Sequence, residues 1–131
     1  MGDECIFAVY ASSSFKTVMY CPWAQEFNKL ISDMAFSEET KLAVWKKAQI
    51  VSNNNPAIWR KDQCGAWIGW EYYGDRSSKY GWEIDHITPV SKGGSDNLSN
   101  LRPLQWENNA SRQDDRLCCK ITSLGDKNVE K

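Results

Sequence analysis

The chain contains a single histidine, His86, and the residue types around it could do chemistry together. Asp85 comes directly before it, a glycine pair follows at 93–94, and asparagines are concentrated between 97 and 109. An imidazole can take up a proton near neutral pH. Carboxylate and amide oxygens are ligands that hard cations such as Mg²⁺ prefer. A lone histidine is more often a satisfied polar residue than a catalyst, so the surrounding pattern has to decide.

A strand, a loop and a helix are predicted to position these side chains. The strand covers 82–86, and the loop TPVSKGGSDNLSN follows it, because Pro89 and the glycine pair prevent regular structure. A helix is predicted over roughly 103–113, with Pro103 in its first turn. Consecutive side chains of a strand point to opposite faces. Asp85 and His86 can therefore share a site only if the strand ends or bends there.

Upstream of this region the sequence predicts a capped helix and a further strand. Ser37 can cap a helix in SEETKLAVWKKAQ, where two glutamates suit the N-terminal end and two lysines the C-terminal end. The further strand is predicted around Ala66–Tyr72. Glu83 is predicted to be a surface residue of its strand, close enough to the site to assist it.

From Phe36 to near Arg112, over about 75 residues, the chain resembles the HNH endonucleases, and a bacterial-type subgroup in particular. The pattern of that family is an Asp-His or His-His pair, a proline, a glycine-rich loop, an Asn-Leu pair and a final His or Asn. The matching features here are Asp85-His86, Pro89, Gly93-Gly94, Asn100-Leu101 and Asn109. Five features at fixed spacing are much harder to meet by chance than a lone Asp-His pair.

The resemblance implies an α+β fold: a small ββα-metal finger core with a preceding helix and an N-terminal extension. It also implies a role for each matching residue. His86 would be the general base, Asp85 and Asn109 the two metal ligands, and Asn100 a structural residue that holds the loop and the histidine. Oxygen ligands from Asp and Asn suit Mg²⁺ or Mn²⁺, which would take waters and phosphate oxygens as further ligands.

Several basic residues near this region could hold a phosphate. Gln105, Asn109 and Arg112 would share one face of the predicted helix, which would bring Arg112 to a phosphate beside the metal. Lys92 in the loop and Arg102 are further candidates. Arg60 and Lys61 are candidates too, although a solvated surface pair explains them equally well.

The sequence departs from the family at its structural zinc. Many members have two CxxC pairs around the core, whereas here Gln105 and Asn108 occupy the positions of the second pair. Only Cys64 remains of the first pair, with Trp67 three residues later. We therefore expect no structural zinc, and Asn108 is predicted to be a helix-surface residue. Burial of tryptophans would supply the missing stability, and the set is Trp59, Trp67, Trp70, Trp82 and Trp106.

Composition places limits on the class of protein. The chain has 131 residues, 41% of them hydrophobic, and a formal net charge of -1, which argues mildly against binding nucleic acid by bulk charge. Five cysteines without a CxxC motif indicate free thiols in a reducing interior. No apolar run approaches the ~18 residues of a membrane helix. We expect a soluble, intracellular protein with no membrane partner.

Three segments are predicted along the chain. Residues 1–35 form an N-terminal extension with a possible hairpin and helix, 36–113 form the HNH nuclease domain, and 114–131 form a polar, frayed C-terminal tail. Specificity in so small a domain would need a homodimer or a partner protein.

The function that the resemblance implies is metal-dependent cleavage of DNA, with RNA left open as a substrate. His86 would activate water beside one divalent metal. Two alternatives remain: a nucleic-acid-binding module without catalysis, and an interaction protein that retains the HNH fold. The residues do not distinguish nicking from double-strand cutting, and they indicate neither sequence preference nor biological role.

Overall fold

The computed structural model describes residues 36–113 and 116–131, and the hairpin and helix predicted within residues 1–35 lie outside that part. The described residues form a mixed α+β structure with two α-helices and three antiparallel strand pairs. In chain order the elements are α1 (Glu38–Trp45), β1 (Trp59–Lys61), β2 (Trp67–Gly69), β3 (Trp82–His86), β4 (Leu101–Gln105), α2 (Trp106–Ala110), β5 (Ile121–Leu124) and β6 (Lys127–Glu130). Neither helix has the length and apolar character needed to cross a membrane.

Helix α1 begins where the sequence predicts and is connected to the glycine loop. The hydroxyl of Ser37 accepts a hydrogen bond from the Thr40 backbone N–H at 3.1 Å, so the predicted N-cap is confirmed. Just beyond the end of the helix, the Lys47 ammonium donates to the backbone carbonyls of Leu98 and Leu101. This lysine therefore joins the region after α1 to the end of the loop that follows β3.

The predicted strand over 66–72 is wrong at its C-terminal half. Strand β2 ends at Gly69, and Trp70–Tyr72 form a turn of 3₁₀ helix. A side chain at Gly69 would lie 2.6 Å from the Tyr72 ring, so the chain can bend back here only because the residue is glycine. Strand β1, the partner of β2, is three residues long and too short to be predicted from alternation.

Strand β3 has the predicted bounds, whereas the helix predicted over 103–113 is confirmed only over Trp106–Ala110. Residues 101–105 form β4, which pairs antiparallel with β3 and places Arg102 opposite Asp85. Pro103 lies in this strand, where a missing N–H is tolerated at an edge. Helix α2 begins only at Trp106, and the Gln105 side chain caps it. Gln105 therefore does not share a helix face with Asn109 and Arg112.

Large rings dominate the core, as predicted, although the central one was not in the predicted set. Trp45 is 1% exposed, and its ring centroid lies 5.2 Å from that of Trp82 and 5.6 Å from that of Trp70. Ile68, Tyr73 and Leu101 complete the same cluster. The ring cluster supports β3 from one side, since Trp82 is the first residue of that strand.

The frayed C-terminal tail was a wrong prediction. Strands β5 and β6 form an antiparallel hairpin, and Asn128 holds it to β2 by hydrogen bonds to both the N–H and the carbonyl of Trp67, at 2.7 and 2.9 Å. A disulfide also joins Cys64 to Cys119. Free thiols were therefore a wrong prediction for these two cysteines. The division of the chain at 35 and 113 stays a prediction.

Candidate active site

Asp85 lies at the centre of a charged cluster where β3, β4 and the end of α2 meet. It is 6% exposed. One carboxylate oxygen accepts from Arg102 Nε at 2.7 Å, and the other accepts from Arg112 Nη1, also at 2.7 Å. Arg112 in addition donates to the backbone carbonyl of His86 at 2.7 Å. Three residues predicted for the site are thus brought together around one carboxylate.

Asn109 lies against Glu83, which shares a face of β3 with Asp85 because the two are separated by one residue. The Asn109 amide nitrogen donates to Glu83 Oε1 at 2.7 Å. Arg76 holds the same carboxylate with two hydrogen bonds of 2.6 and 2.9 Å, and these raise the pKa of Arg76. Glu83 is 8% exposed, so its prediction as a surface residue was wrong.

His86 is the last residue of β3, and its ring lies apart from the carboxylate cluster. Nε2 is 2.6 Å from Asp96 Oδ1, and the Phe36 ring lies beside the imidazole, with 6.1 Å between ring centroids. Within residues 36–113 and 116–131, no hydrogen bond joins the imidazole to Asp85 or Asn109. A carboxylate only accepts, so Nε2 carries a hydrogen and Nδ1 is the nitrogen that can take up a proton.

Asn100 holds the two ends of the glycine loop together. Its amide oxygen accepts from the Thr88 N–H at 2.8 Å, and its amide nitrogen donates to the carbonyls of Thr88 and Ser95, at 3.1 and 2.8 Å. A side chain at Gly94 would overlap the Thr88 carbonyl, and Gly93 has a positive φ of 89°. The glycine pair and Asn100 thus shape the segment that carries Asp96 to His86.

Asp62, Gln105 and Asn108 form a buried polar network, and two of them, Gln105 and Asn108, are the residues predicted to replace the second cysteine pair. Asn108 is fully buried; it donates to Asp62 Oδ2 at 3.0 Å and bonds to both the N–H and the carbonyl of Ile121. Asp62 also accepts from the backbone N–H groups of Cys64, Ala66 and Gln105. Asn108 as a helix-surface residue was therefore a wrong prediction. Its side chain joins α2 to β5.

Arg60 and Lys61 do not lie in this cluster. The Arg60 guanidinium is buried and donates to the carbonyls of Lys46 and Ala48, just beyond the end of α1, and to that of Pro56. Burial lowers the pKa of Arg60. Lys61 lies over the Trp67 ring at 4.7 Å. Phosphate contacts from Arg60 and Lys61 stay predictions, as does that from Lys92, which is exposed in the loop.

The side chains of Asp85 and Asn109 offer the types of oxygen donor that a small hard cation takes. Asp85 uses one hydrogen bond on each oxygen, and a carboxylate oxygen has room for about two. Within the described residues, no group of three His, Cys, Asp or Glu side chains could hold a metal ion. A site here would therefore depend on Asp85 together with the amide oxygen of Asn109, and carboxylate and amide oxygens suit Mg²⁺ or Mn²⁺.

Sequence reasoning missed Arg76 and Asp96, and it placed Glu83 near the site but at the surface of its strand. The signal for Glu83 was its position two residues before Asp85 in a strand, which places both carboxylates on one face. Arg76 and Asp96 lie in segments without regular structure. The sequence of such a segment does not indicate which strand residue it will contact.

Comparison with known families identifies the region that contains these residues. Residues 70–109 match the family model described as HNH endonuclease. Searches of curated proteins and of solved structures gave no match to the chain. The matched segment runs from the turn after β2 through β3 and the glycine loop into α2, and it contains Asp85, His86, Asn100 and Asn109. The chain therefore carries, over residues 70–109, a domain of the HNH endonuclease family.

Proposed function

We propose that the protein is a metal-dependent endonuclease that hydrolyses DNA phosphodiester bonds at the site formed by Asp85, His86 and Asn109. The observation that carries this proposal is the HNH family match over 70–109, because the matched segment contains the complete set of residues expected to act. The order of β3, β4 and α2 along the chain is compatible with the ββα-metal finger.

His86 would accept the proton of the attacking water. Asp96 Oδ1 lies 2.6 Å from Nε2, and this hydrogen bond orients the ring. Nδ1 is then the nitrogen that would accept the proton of the water. Asn100 supports this arrangement because it closes the loop on which Asp96 lies. A positioned general base of this kind contributes roughly 10²–10⁴-fold to rate.

Asp85 and Asn109 are the residues that would hold a divalent ion, Mg²⁺ or Mn²⁺. The chemistry supplied by such an ion is stabilisation of negative charge on the phosphate and the leaving oxygen. Arg102 and Arg112 lie on Asp85 and are candidates to turn onto a phosphate when DNA is bound. Lys92 on the exposed loop is the third candidate.

One observation favours a second candidate function, a DNA-binding module without catalysis. Both oxygens of Asp85 already accept from arginines. If this pairing persists when DNA and metal are present, the site would bind phosphate but would not activate water. The two functions differ in one measurable respect: only the nuclease cleaves DNA when a divalent metal is added.

The experiment is cleavage of supercoiled plasmid by the full chain, with Mg²⁺ or with a chelator. We expect nicking or linearisation that requires the metal and falls about 100-fold or more in His86→Ala, because the general base is lost. Lys127→Ala, an exposed substitution on β6, is the matched control and should cleave like wild type. Absence of cleavage by wild type with Mg²⁺ and Mn²⁺ would reject the nuclease. Metal-independent DNA binding in that case would favour the module.

A further inference from the structure

Glu83 is a buried carboxylate to which the proposed mechanism gives no role. It is 8% exposed and lies on the same face of β3 as Asp85. Its two oxygens accept three hydrogen bonds, two from Arg76 and one from Asn109. A carboxylate held in this way by an arginine fork has little freedom to rotate. Glu83 is thus a fixed acceptor beside a residue of the proposed site.

The contact with Glu83 determines which end of the Asn109 amide faces Glu83 and which end faces away from it. Glu83 can only accept hydrogen bonds, so the NH₂ group of Asn109 must be the end that faces it, at 2.7 Å. The amide group is planar, so its oxygen points away from Glu83. Within the described residues, no hydrogen bond engages that oxygen.

We propose that Glu83, clamped by Arg76, is a positioning residue that presents the Asn109 carbonyl oxygen as a metal ligand. The inference rests on the proposed function and deepens it. Without the contact, the Asn109 side chain could rotate, or could present its NH₂ group, which cannot bind a cation. Residues that orient metal ligands in this way typically account for 10–100-fold in metal affinity.

A purely structural role for Glu83 would be to fasten α2 to β3. The neighbouring Trp106 fastens the start of α2 to the turn before β3, because its indole N–H donates to the Ser78 carbonyl at 2.9 Å. Trp106→Phe removes that hydrogen bond but keeps an aromatic ring for Arg76, whose guanidinium lies 5.7 Å from the Trp106 ring centroid. It is therefore the control for general loosening of the helix.

Two substitutions separate the hydrogen bond from the charge of Glu83. Glu83→Gln removes the charge but keeps an acceptor oxygen at the right distance from Asn109. Glu83→Asp keeps the charge but withdraws it by one methylene, beyond hydrogen-bond reach of Asn109. Melting curves would establish that each variant is folded before its metal affinity is compared.

The measurement is Mn²⁺ binding to the full chain without DNA, by titration calorimetry or by electron paramagnetic resonance. We expect Glu83→Gln and Trp106→Phe to bind Mn²⁺ within about threefold of wild type, and Glu83→Asp to bind about tenfold more weakly. In plasmid cleavage, Glu83→Asp should need about tenfold more Mg²⁺ for half-maximal rate, with a saturating rate close to that of wild type.

The results that would overturn the inference are distinct from failure of the proposed function. Wild-type affinity in Glu83→Asp, an affinity lower in Glu83→Gln than in Glu83→Asp, or an equal loss in Trp106→Phe would each overturn the positioning role while leaving the nuclease intact. A wild-type chain that neither binds Mn²⁺ nor cleaves plasmid would overturn both.

Discussion

At the scale of single residues, this domain uses asparagines for three different purposes. Asn100 closes a loop through three hydrogen bonds to backbone groups. Asn108 is buried and joins two elements. Asn109 is half-buried and contacts a carboxylate. An amide is both donor and acceptor, so the same side chain can satisfy backbone groups or present an oxygen to a cation.

We predict that Asn100→Ala loosens the glycine loop more than it destabilises the fold. Three hydrogen bonds are lost, and the free energy of unfolding should fall by about 1–3 kcal/mol. Amide hydrogen exchange over residues 87–100 should accelerate, and plasmid cleavage should fall because Asp96 no longer holds the His86 ring. The matched control is Asn97→Ala in the same exposed loop. Equal effects from the two variants would contradict the bracing role of Asn100.

At the scale of elements, the carboxylate of Asp62 joins the hairpin of β1 and β2 to the start of α2. It accepts four hydrogen bonds, from the backbone N–H groups of Cys64, Ala66 and Gln105 and from the Asn108 side chain. Asn108 in turn bonds to Ile121 of β5, and the Cys64–Cys119 disulfide joins the turn between β1 and β2 to the segment before β5 covalently.

We predict a pH-dependent contribution of Asp62 to stability. Burial raises the pKa of Asp62 more than its hydrogen bonds lower it, so the folded protein retains the proton to higher pH than the unfolded chain. Stability from this group is greatest below the unfolded-state pKa and is lost as pH rises through the raised folded-state pKa.

The check is to measure the free energy of unfolding of wild type and Asp62→Asn from about pH 3 to pH 8. The advantage of wild type over the variant should shrink as pH rises above the ordinary carboxyl range, and then level off. Asp62→Asn should be less stable by about 1–3 kcal/mol, because its NH₂ group faces N–H donors. Asp126→Asn, an exposed change in the hairpin turn, should follow wild type. A wild-type advantage that grows with pH would contradict the raised pKa.

At the scale of the whole molecule, charge is nearly balanced but unevenly placed. The net charge is -1. Around the candidate site, however, three arginines, Arg76, Arg102 and Arg112, are grouped on the carboxylates of Glu83 and Asp85. Because the net charge is -1, an attraction for DNA would have to be local, and this arginine cluster with the glycine loop is the candidate region.

We predict a shallow salt dependence of DNA binding. Three phosphate contacts, from Lys92, Arg102 and Arg112, correspond to a slope of about -2.7 in log K against log salt concentration. The measurement is fluorescence anisotropy of labelled duplex DNA with the His86→Ala chain and a chelator. Adding Lys92→Ala should reduce the slope by about 1, whereas adding Lys127→Ala should leave it unchanged. A slope steeper than about -6 would mean a much wider basic surface.

The sequence by itself determined the motif and the local elements that carry it. The spacing of Asp85, His86, Asn100 and Asn109 predicted the HNH family, which the match over 70–109 confirms. The Ser37 cap and the bounds of β3 follow from side-chain chemistry and alternation within a few residues, so they too could be predicted. Each of these features depends on neighbours close in the chain.

Only the tertiary structure decided which distant groups meet. Pro103 lies in a strand because it pairs with β3, although proline is also common at the first position of a helix. Asn108 meets Asp62 across 46 positions, and Arg112 meets Asp85 across 27. Burial then converts such contacts into strong ones, since a polar group removed from water must find a partner within the fold. Partners so far apart along the chain leave no periodic signal in the sequence.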